Sequence, residues 1–331
     1  TPANSIDWPN AGMAETTVDD PNDTPAEADA IPCGYLYTVG RDGKMETVAG
    51  LEGVLVSACA SGLRHSLALA NDQRSLYSYG SNEAGALGRS AEEETPMKIP
   101  TFTDKKIVRI DSGASHSVAL TEDGQLFWWG TVFDPYTGYV VAVSATPCLV
   151  DFPAAIADVA CGDHHTLAMD VAGSVWAWGC NAQGQCGTVH ACPKVLFGDG
   201  RLEASQVFCG GSHSFILTTC GKVFGFGLNN WGQLGLGYGG TTELVPIEIH
   251  ALRDIAQIAG GVDHSVALDN QGRVFTFGAA QPVMQMLELP HCRFISCQDS
   301  STFAHSSDKR VFTWDLSDGP QVFRHQDIST H

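Results

Sequence analysis

The sequence predicts an all-β fold, a seven-bladed β-propeller closed by strands from both termini. Three observations carry that prediction. A Gly-x-x-His-Ser-x-Ala-Leu pattern recurs along the chain, with His65, His116, His165, His213 and His264 separated by 51, 49, 48 and 51 residues. Each copy is followed by a short strand ending in aromatic-x-aromatic-Gly, as in Leu76-Tyr77-Ser78-Tyr79-Gly80. A period near 50 residues with fixed Gly and aromatic positions is the mark of a propeller or solenoid, and 36 Gly against 15 Pro favours tight turns over helices.

The elements follow in chain order. Residues 1–30 hold seven carboxylates and no Lys or Arg, so they bury too little apolar surface to offset their ordering and are predicted to be a disordered acidic tail. The propeller is assigned to residues 31–331. It opens with an aromatic strand at 36–40 that has no His half before it. Five complete hairpins follow, with aromatic strands at 76–80, 126–130, 175–179, 223–227 and 274–278. Within each hairpin, apolar residues alternate in the manner of a half-buried strand, and turns such as Glu122-Asp123-Gly124 join the halves. A worn sixth copy carries Ser301 in the His slot and ends in Val311-Phe312-Thr313-Trp314-Asp315. The unpaired first strand predicts closure by C-terminal residues, with 321–323 as an outer strand.

Composition narrows the function. Lys+Arg 18 against Asp+Glu 37 gives a net charge of −19, which repels a phosphate backbone and disfavours direct DNA binding. A basic protein partner fits that charge better. No run approaches the roughly 18 apolar residues of a membrane span, and no charged-then-apolar leader opens the chain, so a soluble chain without a membrane partner is expected. The 11 cysteines include no CxxC pair and are expected as reduced core thiols.

Candidate chemistry is thin. His65, His116, His165 and His213 occupy one slot per repeat, so closure spaces them around a disc instead of gathering them around a metal. A structural role, satisfying buried polar groups between blades, is expected. Asp163-His164 and Asp263-His264 add further polar groups to their turns. Trp128, Trp129 and Trp231 are expected as blade packing. No HExxH, GxSxG or GxxxxGK[ST] motif occurs, so no enzyme, cofactor or metal site is predicted.

The most irregular segment follows the second full hairpin. Where other repeats carry a polar Gly-containing loop (81–88, 181–187, 229–237), this one reads Thr131-Val132-Phe133-Asp134-Pro135-Tyr136-Thr137-Gly138, then Tyr139-Val140-Val141-Ala142-Val143-Ser144-Ala145-Thr146-Pro147. An apolar, β-prone stretch outside the repeat predicts a projecting hairpin, and binding residues favour such loops on rigid scaffolds.

The repeated halves, together with 80–89 and the run Val223-Phe224-Gly225-Phe226-Gly227-Leu228-Asn229-Asn230-Trp231-Gly232-Gln233-Leu234-Gly235, resemble the regulator of chromosome condensation family, exchange factors for the small GTPase Ran. The resemblance covers residues 34–320. It implies guanine-nucleotide exchange by binding, with no covalent chemistry, and GDP, GTP and Mg²⁺ held by the GTPase. It maps a β-wedge onto 139–147, including Tyr139, Val140, Val141, Ala142, Val143, Ser144 and Pro147, with Asp134 and Thr137 before it. Asp163, His164, Asn230, Asp263 and His264 are the implied docking residues on the same face. A monomer in the nucleus, with histone or chromatin contact, is likewise implied. A non-catalytic scaffold of the same family, or a cytoplasmic location, is the alternative. Three departures stand out: the tail is acidic where the family's is basic, the wedge loop is short, and the fifth full hairpin lacks a Gly-rich loop at 278–282.

Overall fold

The computed structural model describes residues 13–17, 35–39, 45–90, 93–187, 203–279, 281–308, 310–315 and 321–323. Six consecutive antiparallel sheets form six blades, not the seven predicted. Blade I comprises Val56–Ser61, His65–Ala70, Leu76–Gly80 and Glu93–Lys98. Blade II comprises Ile107–Ser112, His116–Thr121, Leu126–Phe133 and Val140–Val150. Blade III shows Ile156–Cys161, His165–Asp170 and Val175–Gly179, and residues 188–202 after it lie outside the described set. Blade IV is Ala204–Cys209, His213–Thr218, Val223–Asn229 and Thr241–Glu248. Blade V is Ile255–Gly260, His264–Asp269, Val274–Gly278 and Gln281–Met286, and blade VI is Cys292–Gln298, Ser301–Ser306, Val311–Asp315 and Gln321–Phe323.

The first aromatic strand is not a blade of this repeat. Tyr35–Val39 lies between Met13–Thr17 and Met45–Thr47 in a three-stranded N-terminal sheet. No C-terminal strand joins that sheet among the described residues, while Gln321–Phe323 pairs with Val311, Phe312 and Thr313 inside blade VI. The predicted closure by both termini is therefore corrected. The physical reason lies in the missing His half: without it, this sheet has no histidine to bond a neighbouring blade. Of the predicted 1–30 tail, Met13–Thr17 is described, as the strand paired with Tyr35–Val39, and its other residues lie outside the described set.

Each blade packs by the alternation that the sequence carries. The second strand, His65–Ala70 and its counterparts in blades II to V, is buried at every position because it has a strand on both sides and apolar neighbours on both faces. Core clusters bridge neighbouring blades. One joins Leu67, Leu69 and Leu76 of blade I to Ile107, Ile110 and Trp129 of blade II. All six inner strands carry a β-bulge near their start, such as between Ile156 and Asp158, which increases local twist.

Polar bonds then lock the seams. His65 Nε2 lies 2.8 Å from Ser117 Oγ of the next blade, His116 Nε2 3.0 Å from Thr166 Oγ1, and His165 Nε2 2.8 Å from Ser214 Oγ. His213 reaches Ser265 and His264 reaches Thr302, each at 2.7 Å. The serine hydroxyls of three seams spend their proton on a loop carbonyl of the preceding blade: Ser117 to Ala86, Ser214 to Gln185 and Ser265 to Gln233. Those hydroxyls must therefore accept from Nε2–H, which sets the neutral tautomer. Inner strands are bridged as well. Asp111 accepts from Cys161 N–H, Asp158 accepts from Val207 N–H and pairs with Arg109, and Gln257 exchanges two bonds with Ile295.

Glycine is required beneath each ring. A Cβ on Gly162 would overlap the His165 ring and the Gly210 carbonyl. Gly162→Ala is expected to destabilise the domain by about 3 kcal/mol through overpacking of that seam, read as the midpoint of urea unfolding.

Burial holds the histidines neutral. It lowers His116, His165 and His213 from 6.5 to about 3 and His65 to about 4. The Nδ1 atoms of His116, His165 and His213 have no hydrogen-bond partner, so a proton added there would gain none. The unfolded chain binds more protons below its ordinary value of 6.5, so stability is complete above that pH and is lost as pH falls toward 4. Burial moves Asp111 and Asp158 upward from 3.8, an opposing effect centred at lower pH. Between about pH 7.5 and 5.5 each of the four histidines should cost about 1.4 kcal/mol. Thermal unfolding across that window should show a falling Tm with a slope reduced in His165→Gln; a flat profile would contradict the seam account.

Candidate functional site

The turns that join the first and second strands lie on one face of the disc. They are stitched into a chain of backbone bonds: Leu63 N–H to Ala114 O, Ala114 to Asp163, Asp163 to Gly211, Gly211 to Gly261 and Val262 to Asp299, all between 2.9 and 3.1 Å. The segments leaving the third strands share that face. Thr131 N–H donates to Ser115 O, Cys180 to His164, Leu228 to Ser212 and Ala279 to Asp263. Hence the hairpin of blade II, Asp163, His164, Asn230 and Asp263 all belong to one surface.

The hairpin projects as the sequence predicts. In blades I, III and V the third strand stops at its Gly, whereas Leu126–Phe133 continues three residues past Gly130 and pairs onward with Val140–Val150. Asp134 organises the tip: its N–H donates to Tyr139 O, its carbonyl accepts from Gly138 N–H, and Oδ1 accepts from Tyr136 N–H at 2.9 Å. The Tyr136 amide and the Thr137 hydroxyl hold the Asp134 carboxyl below its ordinary 3.8. Tyr139 is 76% exposed and Val143 68%, and Tyr136, Val140 and Val141 are exposed with them. Ala142 points the other way and packs on the blade II core. Ser144 bonds Thr146 O, and 145–147 bulge out opposite Trp129, where Pro147 needs no amide partner.

Asp134 belongs to an electrostatically linked group with His164 and Asp163. Burial lowers His164, opposed by Asp163 and Asp134. Burial raises Asp163, opposed by His164 and reinforced by Asp299 and Asp263. Asp263 is raised by burial too. Asn230 is exposed on the blade IV loop. His264, expected to dock a partner, is instead fully buried in the seam with blade VI. Its imidazole must satisfy Thr302, so it belongs with His65, His116, His165 and His213.

Two contributors escaped the sequence reading. Asp299 occupies in blade VI the slot of Asp163, hidden by the loss of the repeat His two residues later. Trp231 was expected as packing; Trp128 and Trp129 are buried, but Trp231 is 50% exposed. The buried thiols have no nucleophilic character: burial raises Cys59 to about 11 and Cys186 and Cys297 to about 12. Among the described residues, no three His, Cys, Asp or Glu side chains gather as a metal would need.

Comparison with known proteins settles the family. Residues 32–327 match the RCC1-like domain. The chain belongs to that family. It is 28% identical over 321 residues to the regulator of chromosome condensation of Mus musculus, covering 82% of this chain and 75% of the relative, and 28% identical over 318 residues to that of Homo sapiens, with the same coverage. It is also 37% identical over 153 residues to the probable E3 ubiquitin-protein ligase HERC3 of Homo sapiens, covering 44% of this chain and 14% of that protein. In structure it is similar to Prp20p of Saccharomyces cerevisiae, described with its binding properties to Gsp1p and histones, with a TM-score of 0.76, 22% identity, and coverage of 86% and 80%.

Because the exposed residues of this RCC1-like hairpin support no core, Tyr139→Ser and Val143→Ser should each shift stability by no more than about 0.5 kcal/mol in urea unfolding. A larger loss would mean that the hairpin belongs to the core of blade II.

Proposed function

We infer that the protein is a guanine-nucleotide exchange factor for the GTPase Ran. The observation that carries this reading is the hairpin of blade II: a stiff, apolar projection beside Asp134, His164 and Asp163, on a propeller of the RCC1-like family. The regulator-of-chromosome-condensation relatives and the Gsp1p binding described for Prp20p support it.

Exchange of this kind needs no bond to be made or broken by the propeller. A factor that binds the nucleotide-free GTPase more tightly than the loaded forms must, by linkage, lower nucleotide affinity to the same extent. The scaffold suits the task because the seam bonds fix the face while the hairpin stands clear of it. The half-buried carboxylates Asp163 and Asp263 offer their charge to a basic partner, in keeping with the net charge of −19. The same reading places the protein in the nucleus, with histones as a second class of partner. The rival reading is a non-catalytic propeller of the same family that binds another protein partner.

Ran loaded with fluorescent GDP and chased with excess GTP decides between them. Release should accelerate with this protein and slow at least about tenfold, or about 1.4 kcal/mol, when 137–143 are replaced by Gly and Ser. Absence of acceleration, together with absence of a complex with nucleotide-free Ran, would overturn the exchange reading.

A further inference from the structure

Blade II is not alone in projecting from the binding face. In blade IV the third strand, Val223–Asn229, also runs past its Gly, and Gly227, Leu228 and Asn229 pair with Glu243, Thr242 and Thr241. The loop between these strands is rigid. Asn229 is fully buried and ties it together: Oδ1 accepts from Leu234 N–H at 3.1 Å, Nδ2 donates to Tyr238 O at 3.0 Å, and its carbonyl accepts from Gly240 N–H. Gln233 Oε1 accepts from Trp231 N–H at 2.9 Å.

Blade III carries a closely related loop, in which Asn181 accepts from Cys186 N–H and Gln185 from Gln183 N–H. The backbone device is shared, yet the residue two places after the Asn is Ala84 in blade I, Gln183 in blade III and Trp231 in blade IV. Only the blade IV loop uses this fixed position for a large aromatic ring, and it leaves half of that ring in water. Tyr238, on the same loop, is 45% exposed and directs its hydroxyl to Glu243 Oε1 at 3.3 Å. The preordered Trp231 ring, on a loop whose Tyr238 reaches the Glu243 carboxylate, suits an Arg or Lys side chain, through its apolar stem and its cation.

Position matters as much as chemistry. The two projections stand on either side of blade III, whose turn bears Asp163 and His164. Asp134, in the turn of the hairpin, acts electrostatically on His164, and the blade III loop meets blade IV where Thr242 Oγ1 donates to Gln183 Oε1 at 3.4 Å. Among the described residues, one surface therefore links the hairpin, the blade III turn and loop, and the blade IV loop that carries Trp231.

We propose that the blade IV loop is a second contact for the same GTPase, with Trp231 as an anchor that receives a basic side chain of the partner. This rests on the exchange-factor reading and adds a division of labour: the hairpin sets how fast nucleotide leaves, and Trp231 sets how tightly the GTPase is held. Ordered exposed aromatics are the side chains that most often dominate binding energy.

The test is a titration of the protein against Ran carrying fluorescent GDP, which separates maximal release rate from half-saturating concentration. Trp231→Ala should raise the half-saturating concentration about tenfold and leave the maximal rate within about twofold. Trp231→Phe should recover most of the affinity, and Glu243→Gln should weaken the dependence on salt. The ring is exposed and its backbone bond survives truncation, so thermal unfolding of each variant should match the wild type. A Trp231→Ala curve that superimposes on a working wild type overturns the second contact alone. A wild-type protein that neither binds nor discharges Ran removes both readings together.

Discussion

The bond from a buried histidine to the hydroxyl of the next blade is the constraint on which this structure depends. A single four-stranded blade cannot bury both of its faces, so each must dock on a neighbour, and apolar packing alone does not set the angle between them. The His-to-Ser or His-to-Thr bond does, because it ties the start of one second strand to the next, as from His165 to Ser214. The Gly three residues before each histidine follows from it, since only a residue without Cβ leaves room for the ring. Ser117, Ser214 and Ser265 are explained too: each serves as acceptor for the preceding blade's ring and as donor to that blade's loop.

Once the seams are fixed, variation has one place to go. The connection between third and outer strands starts beside the histidine and opens onto the face of the first turns, so its length changes without disturbing the core. Blade II extends it into an apolar hairpin, blade IV into an aromatic loop, and blade V shortens it to the turn after Gly278. Function is grafted onto a scaffold whose repeat is occupied with holding itself together.

Charge is handled differently on the two faces. Carboxylates on the turns between second and third strands are locally satisfied: the Thr121 hydroxyl holds Asp123 below its ordinary value, and Arg310 holds Asp308 down to about 2. On the face that carries the hairpin, burial instead raises Asp163 and Asp263, whose surroundings stabilise their charge poorly. A cation arriving from a partner gains more at such groups than at carboxylates already capped by their own turn.

The blade architecture was legible in the sequence because its causes are local and repeated. Alternation marks the strands, and the Gly-to-His spacing marks the seam. The hairpin was legible as a break in that rhythm, with Asp134 in its turn. Blade number was not, because the strand at Tyr35–Val39 looks like the third strand of any repeat, and only pairing shows that Met13–Thr17 is its neighbour. Nor was the fate of His264 and Trp231: the sequence places one beside an Asp and the other in a packing motif, whereas burial depends on what the adjacent blade supplies. Thus the sequence by itself determined the repeat, its strands and its irregular edge. The tertiary structure alone decided which polar and aromatic side chains are left exposed on the face of the hairpin, because exposure is settled between blades and not within them.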